Sequence, residues 1–125
     1  MSAIESTLSE VPGRVGVACV HLDSGREVRH NADEVYFTAS TLKVPLLVAL
    51  YRLVDEGRID LSERVELRDS MRVPGSSILK LMGNGLAPTV HDLATLMIVV
   101  SDNTATDLIF HRVGKDYLSA TLAEL

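Results

Sequence analysis

The spacing of apolar positions changes twice along this chain. From Arg14 to Leu22 the run RVGVACVHL is short, apolar and rich in β-branched residues, which suits a strand. DSGR at 23–26 is turn chemistry, and EVRHN at 27–31 returns as the second strand of a hairpin. Ahead of the hairpin, residues 2–10 form a short amphipathic helix with Ile4 and Leu8 on one face, stopped by Pro12-Gly13. After it the period is helical. FTASTLKVPLLVALYRLVDEG (37–57) predicts a helix over about 40–56 with Gly57 as its C-cap. Pro45 is tolerated only near a helix start, so the start is set near Ser40. Residues 58–85 are mixed, with turn signals at Pro74-Gly75 and Gly83-Asn84-Gly85. Thr89-Val90-His91-Asp92 resembles a capping box with Asp in place of Glu, and it leads into LATLMIVV (93–100). SDNT interrupts at 101–104, ATDLIFHRV resumes over 105–113, and Gly114 ends it.

This order leaves the strands unsupported. A lone two-stranded hairpin is marginal in water, and both edges of this one are open to further pairing. The sheet reads as unfinished. The expectation is an α+β fold, with an N-terminal helix and β-hairpin followed by an all-helical region. The 125 residues would form a single partial domain, the N-terminal part of something longer or one completed by another chain.

Composition narrows the classes. The net charge is −5 and the twelve basic residues are scattered, which argues against nucleic acid as a partner. No run approaches membrane-spanning length. The single cysteine, Cys19, permits no internal disulfide. Among Val17, Ala18 and Val20 it reads as a small buried strand residue. MSAIESTLSEVPGR lacks the basic start and apolar stretch of a signal peptide, so the chain is cytoplasmic or a secreted one whose leader has been removed. His21, His30, His91 and His111 show no metal-ligand spacing, and no metal or cofactor is expected. His111 reads as a surface capping residue near a helix C-terminus. Met71, Met82 and Met97 read as core. Asp55, Glu56, Asp60 and Glu63 read as solvated charges.

Two short motifs could carry chemistry. Ser40-Thr41-Leu42-Lys43 places a hydroxyl and an amine at i and i+3, where helical side chains share a face. A serine is a weak nucleophile until a base takes its proton. A lysine does so only when neutral, and an apolar setting lowers its pKa. The spacing alone is weak evidence: eleven serines and three lysines make a chance match ordinary, and Ser77-Ile78-Leu79-Lys80 is a second one. Position separates the two. Ser40 opens a long apolar helix, whose first N–H groups favour negative charge. Ser77 follows a turn in a weakly periodic segment. The second motif, Ser101-Asp102-Asn103, lies at a break between helical stretches, where turn and N-cap chemistry would also select these residues.

Together, the motifs Ser40-x-x-Lys43 and Ser101-Asp102-Asn103, in that order, resemble the class A β-lactamases and the penicillin-recognising serine hydrolases around them. DLATLMIVVSDNTATDLI and the layout of helix, hairpin and nucleophile helix are also similar. The resemblance spans roughly residues 3–125 but only the first half of that family's domain. It implies a β-lactamase/transpeptidase-like fold with the rest of the antiparallel sheet missing. It implies that Ser40 attacks a β-lactam or ester carbonyl and is acylated, with its own N–H as one oxyanion donor. Lys43 would take or relay the serine proton, and Ser101 would pass a proton to the leaving nitrogen. Asn103 would hold the substrate's side-chain amide, Asp102 would fix the loop, and Ser76 would line the mouth.

The departures are as specific. No K-T-G occurs, and the chain ends at Leu125, before the family's omega loop, its deacylating glutamate and the strand that gives the second oxyanion donor. On this reading the chain alone is inactive or only acylated. The rivals are an esterase or peptidase-like hydrolase of the same fold, and a non-catalytic or truncated binding module. Self-association, or completion by another chain through the open hairpin edge, would suit the last.

Overall fold

A computed structural model describes residues 3–125; Met1, and Ser2 of the expected first helix, lie outside the described residues. The chain divides into two compact units, Met1–Phe37 and Thr38–Leu125.

In the first unit, helix α1 (Ala3–Glu10) precedes strands β1 (Val17–Val20) and β2 (Glu27–His30). The strands pair antiparallel with Val17 opposite His30 and Val20 opposite Glu27. The expected hairpin is present, closed by hydrogen bonds from the His21 N–H to the Arg26 carbonyl and from the Gly25 N–H to the His21 carbonyl. Among the described residues no third strand joins it. A two-stranded ribbon buries little, and the expectation for Cys19 fails on that account: the thiol is exposed, as are Ala18 and Val20 beside it. Arg14 lies against the Tyr36 ring and donates to Glu34 at 2.6 Å. That hydrogen bond holds the Glu34 carboxyl below its ordinary range.

The second unit holds the core. A 3₁₀ turn (Ala39–Leu42) leads into α2 (Lys43–Asp55), followed by α3 (Val90–Val99), α4 (Asn103–Val113) and α5 (Lys115–Glu124). The α-helix therefore begins at Lys43 rather than Ser40, which puts Pro45 inside its first turn, where no helical N–H is needed. At the far end the Gly57 N–H bonds the Val54 carbonyl and the Arg58 N–H bonds the Leu53 carbonyl. This is a Schellman ending, with Gly57 in the left-handed region at φ 70°. Glu56 is the C-cap, one residue before the glycine expected there.

Leu46, Ala49, Leu50 and Leu53 line one side of α2 at helical spacing and are buried. Against them pack Leu93, Ala94 and Met97 of α3, Ala105, Ile109 and Val113 of α4, and Leu118 of α5. Residues 58–85 carry only two short 3₁₀ turns, Asp69–Met71 and Leu79–Leu81, but send Val65, Leu67 and Leu79 into the core. Met97 is core and Met71 packs against it, whereas Met82 is 43% exposed. Glu56 and Glu63 are paired rather than merely solvated. Glu56 accepts from Tyr117 and Arg58, and Glu63 takes a two-pronged contact from Arg112.

The capping box at α3 is complete. The Thr89 hydroxyl accepts from the Asp92 N–H at 3.0 Å, and the Asp92 carboxylate accepts from the Thr89 N–H at 2.9 Å. These two bonds start α3 in register, and α3 delivers Ser101 to the site. His111 sits exposed in the last turn of α4, 3.4 Å from Asp107.

Candidate active site

The site is built where the start of α2 meets the break between α3 and α4. Ser40 lies in the 3₁₀ turn, exposed, directly after Ala39, whose φ of 46° is unusual for a residue with a side chain. Lys43 opens α2 and is only 6% exposed. Ser101 sits at the break with φ 56°, again left-handed without being glycine. That conformation turns its hydroxyl and its carbonyl toward the same amine.

Lys43 Nζ donates to the Ser101 carbonyl at 2.7 Å, to Ser101 Oγ at 2.7 Å and to Asn103 Oδ1 at 3.0 Å. An ammonium has three N–H groups, and here each finds an acceptor. Ser101 Oγ in turn lies 3.0 Å from Ser40 Oγ, with either hydroxyl able to donate. Ser40 and Lys43, three residues apart, are thus joined through Ser101, which contacts both. The direct contact expected from their i, i+3 spacing is not among the hydrogen bonds of the described residues. The chain of polar atoms runs Ser40 Oγ, Ser101 Oγ, Lys43 Nζ, Asn103 Oδ1.

Burial pushes the Lys43 pKa below the ordinary lysine value, and the nearby Asp102 charge opposes that only in part. A lysine so placed gives up its proton more readily than one in water, the property a proton acceptor needs.

Asp102 is completely buried. Burial alone would raise its pKa, but hydrogen bonds from the Ala105 and Leu79 N–H groups, the Ser77 hydroxyl and the Ile78 N–H together outweigh it, and the carboxyl is held below its ordinary value. The donors stand 2.9, 3.0, 2.8 and 2.6 Å away. The Ala105 bond makes Asp102 the N-cap of α4, and the others tie it to the 77–79 segment. Ser76 is exposed, and its carbonyl accepts from the Asn103 N–H at 2.8 Å.

Three further residues belong to this neighbourhood without having been singled out for it. Ser77 is 8% exposed, and its hydroxyl donates to Asp102 and contacts Thr104 Oγ1 at 2.9 Å. Thr104 is fully buried. Gly75 lies against Asn103 so closely that a Cβ there would come within 2.5 Å of Nδ2. In the sequence Ser77 is half of the second S-x-x-K match, Gly75 part of a turn signal and Thr104 the end of the SDNT break, and none of these marks a place in the site. Beside Asn103 opens a pocket of about 390 Å³, walled in part by Leu42, Leu46, Pro74 and Phe110. It is large enough for a small organic group.

Comparison with known proteins places the chain in a family. The whole chain, residues 1–125, matches the β-lactamase enzyme family. The chain belongs to that family. It is 34% identical over 104 residues to β-lactamase L2 of Stenotrophomonas maltophilia, covering 83% of this chain and 34% of that protein. The crystal structure of a β-lactamase from Sphaerobacter thermophilus is 41% identical with a TM-score of 0.83, over 87% of this chain and 41% of that one. A mutant of PBP-A, solved as an acyl-enzyme complex with penicillin G, is 36% identical with a TM-score of 0.88, over 97% of this chain and 47% of that one. The β-lactamase/transpeptidase-like fold is therefore established for this family member, which spans less than half the length of these relatives. Among the described residues no His, Cys, Asp and Glu cluster suits a metal ion, and no helix is long and apolar enough to cross a membrane.

Proposed function

We propose that this chain carries the nucleophile half of a serine hydrolase site of the class A β-lactamase type, acting on a β-lactam amide through an acyl-enzyme on Ser40. The observation that carries this reading is the hydrogen-bonded series Ser40 Oγ, Ser101 Oγ, Lys43 Nζ, Asn103 Oδ1. It offers a continuous route for one proton. With Lys43 neutral, its lone pair accepts the Ser101 proton while Ser101 Oγ accepts the Ser40 proton. The Ser40 oxygen then bonds the carbonyl carbon, and the product of the transfer is a Lys43 ammonium held by its three acceptors. On collapse, Ser101 returns a proton to the leaving nitrogen as the carbon–nitrogen bond breaks. The lowered Lys43 pKa supports the neutral start.

In this reading Asn103 holds a substrate amide, Ser76 lines the mouth, and Asp102 fixes the loop from which Ser101 and Asn103 project. PBP-A, captured with penicillin G as an acyl-enzyme, supports the covalent step. The same machinery would serve an ester or peptide-like amide, so the family of acyl donors is broader than the β-lactams.

Intact mass of the purified chain after incubation with a penicillin tests the proposal, with Ser40→Ala alongside. The expected result is an adduct of one penicillin on the wild type and none on the variant. An adduct that survives in Ser40→Ala would overturn it, and a chain that unfolds cooperatively yet takes no adduct would overturn acylation by this half alone.

A further inference from the structure

We propose that Gly75 is a positioning residue: its missing side chain is what allows Asn103 to turn its Oδ1 onto Lys43. Three observations converge on it. Gly75 has φ 96°, a region that side-chain-bearing residues rarely adopt. A Cβ built there would stand 2.5 Å from Asn103 Nδ2 and 3.7 Å from its Cγ. And the residues that flank Gly75 are tied to Asp102 and Asn103, which limits how far the loop can withdraw. The Gly75 carbonyl accepts from Lys80 Nζ. The neighbouring Ser76 carbonyl accepts from the Asn103 N–H at 2.8 Å, and the Pro74 carbonyl accepts from Asn103 Nδ2 at 3.4 Å. Ser77 is fastened to the buried Asp102.

A methyl group at position 75 therefore has one outlet, the Asn103 side chain. That side chain is not idle. Its Oδ1 is one of the three acceptors of the Lys43 amine, at 3.0 Å. Rotating the carboxamide away from Gly75 draws Oδ1 off Lys43 and changes how firmly that amine holds its proton. Gly75 thus acts on Lys43 through Asn103 without touching either reacting group.

The importance of this contact for turnover rests on the hydrolase reading above, but the contact itself does not, so the test needs no substrate. The full chain is compared as wild type, Gly75→Ala, Gly85→Ala and Asn103→Ala by NMR. Gly85 is the control: its φ is 85°, but nothing lies within 4 Å of a Cβ there, so its variant carries backbone strain without the clash. The readouts are the Asn103 side-chain amide resonances and the pH titration of the Lys43 side chain. Gly75→Ala is expected to move the Asn103 amide pair and to lower the Lys43 midpoint, because the ammonium loses an acceptor. Gly85→Ala is expected to do neither. In an Asn103→Ala background, Gly75→Ala should have no further effect on Lys43, since the intermediary is gone. If Gly75→Ala alone does not fold, the Gly75→Ala/Asn103→Ala double variant, relieved of the clash, should regain cooperative unfolding. The proposal is overturned by an unmoved or raised Lys43 midpoint, by an equal response in Gly85→Ala, by an effect that persists without Asn103, or by a double variant that stays unfolded.

Discussion

Two stretches of this molecule share the pattern serine, two residues, lysine, and the fold treats them in opposite ways. In the first, Ser40 is exposed and Lys43 is 6% exposed. In the second, Ser77 is 8% exposed and Lys80 lies at the surface. The first arrangement presents a hydroxyl to a visitor and withdraws the amine from water, which lowers the amine's pKa. The second hides the hydroxyl among Asp102 and Thr104, where it serves as a strut, and leaves the amine at the surface on the Gly75 carbonyl. The motif's chemistry thus comes from which of its two ends is buried. Spacing brings the groups near each other, and burial decides which one is usable.

Asp102 ties the second stretch to the break whose Ser101 and Asn103 hold Lys43 of the first, so replacing it should have the largest effect. Its carboxylate gathers three N–H groups and a hydroxyl while completely buried. Asp102→Asn keeps the size but replaces acceptor lone pairs with an NH₂ that has only donors to face. Hydrogen bonds to a buried charge are worth about 1.5–3 kcal/mol each, so the loss should reach at least about 3 kcal/mol. Urea unfolding followed by circular dichroism measures it. The pH dependence has a definite sign. The folded carboxyl lies below its ordinary value, so its contribution is fully present above the unfolded pKa of about 3.9 and is lost as pH falls through the folded value. Asp102→Asn should abolish that share of the acid destabilisation. A variant as stable as wild type, with the same acid profile, would show that Asp102 does not join the two stretches energetically.

Much of the local architecture was legible because its signals are local. Thr89 and Asp92 specify a helix start within four residues, and Gly57 marks a helix end by the one conformation it alone adopts freely. The hairpin was legible from DSGR between two β-branched runs. Other features depend on distant partners and left no such mark. That Ser101 would stand between Ser40 and Lys43 requires the α3–α4 break to reach the start of α2, a contact across 58 residues. Cys19 and Met82 looked buried because apolar neighbours in sequence suggest apolar neighbours in space, yet both are exposed. Among the described residues nothing pairs with the open edges of the two-stranded ribbon that carries the first. The family resemblance pointed to residues 40, 43, 101 and 103, which the structure gathers into one hydrogen-bonded series. It said nothing of Gly75, Ser77 or Thr104, whose parts appear only in three dimensions.

The Ser77 strut gives an intermediate effect and sharpens the contrast. Ser77→Ala removes the hydroxyl that donates to Asp102 and that also accepts from the Lys80 N–H at 3.1 Å. Leaving those buried partners short should cost about 1–3 kcal/mol. Because the Ala105, Ile78 and Leu79 bonds to Asp102 persist, the loop should hold and the penicillin adduct on Ser40 should still form. Denaturant melts give the first quantity and intact mass the second. Ser40→Ala is the mirror image, with stability within about 0.5 kcal/mol of wild type for an exposed hydroxyl and the adduct gone. If Ser77→Ala lost the adduct while Ser40→Ala lost the stability, the assignment of strut and nucleophile would have to be exchanged.

The smallest expected effect belongs to the exposed lysine. Lys80 Nζ reaches the Gly75 carbonyl at the surface, where the amine pays little desolvation and water can replace it as a donor. Lys80→Ala should therefore leave stability within about 0.5 kcal/mol of wild type. Lys43→Ala differs in kind. It empties a buried position and strips the donor from the Ser101 carbonyl and Asn103 Oδ1, which should cost about 1–3 kcal/mol. One offset works against that loss: the ammonium itself is unfavourably buried, so part of the cost is returned when the charge is removed. That offset has its own pH signature. Since the folded Lys43 pKa is lowered, the unfolded chain holds the proton more tightly, and wild-type stability should gain on Lys43→Ala as pH rises through the folded value toward the unfolded one of about 10.4. Paired melts of wild type and Lys43→Ala across that range measure it directly. Parallel curves would mean that burial does not perturb the Lys43 amine, and burial would no longer distinguish the two motifs.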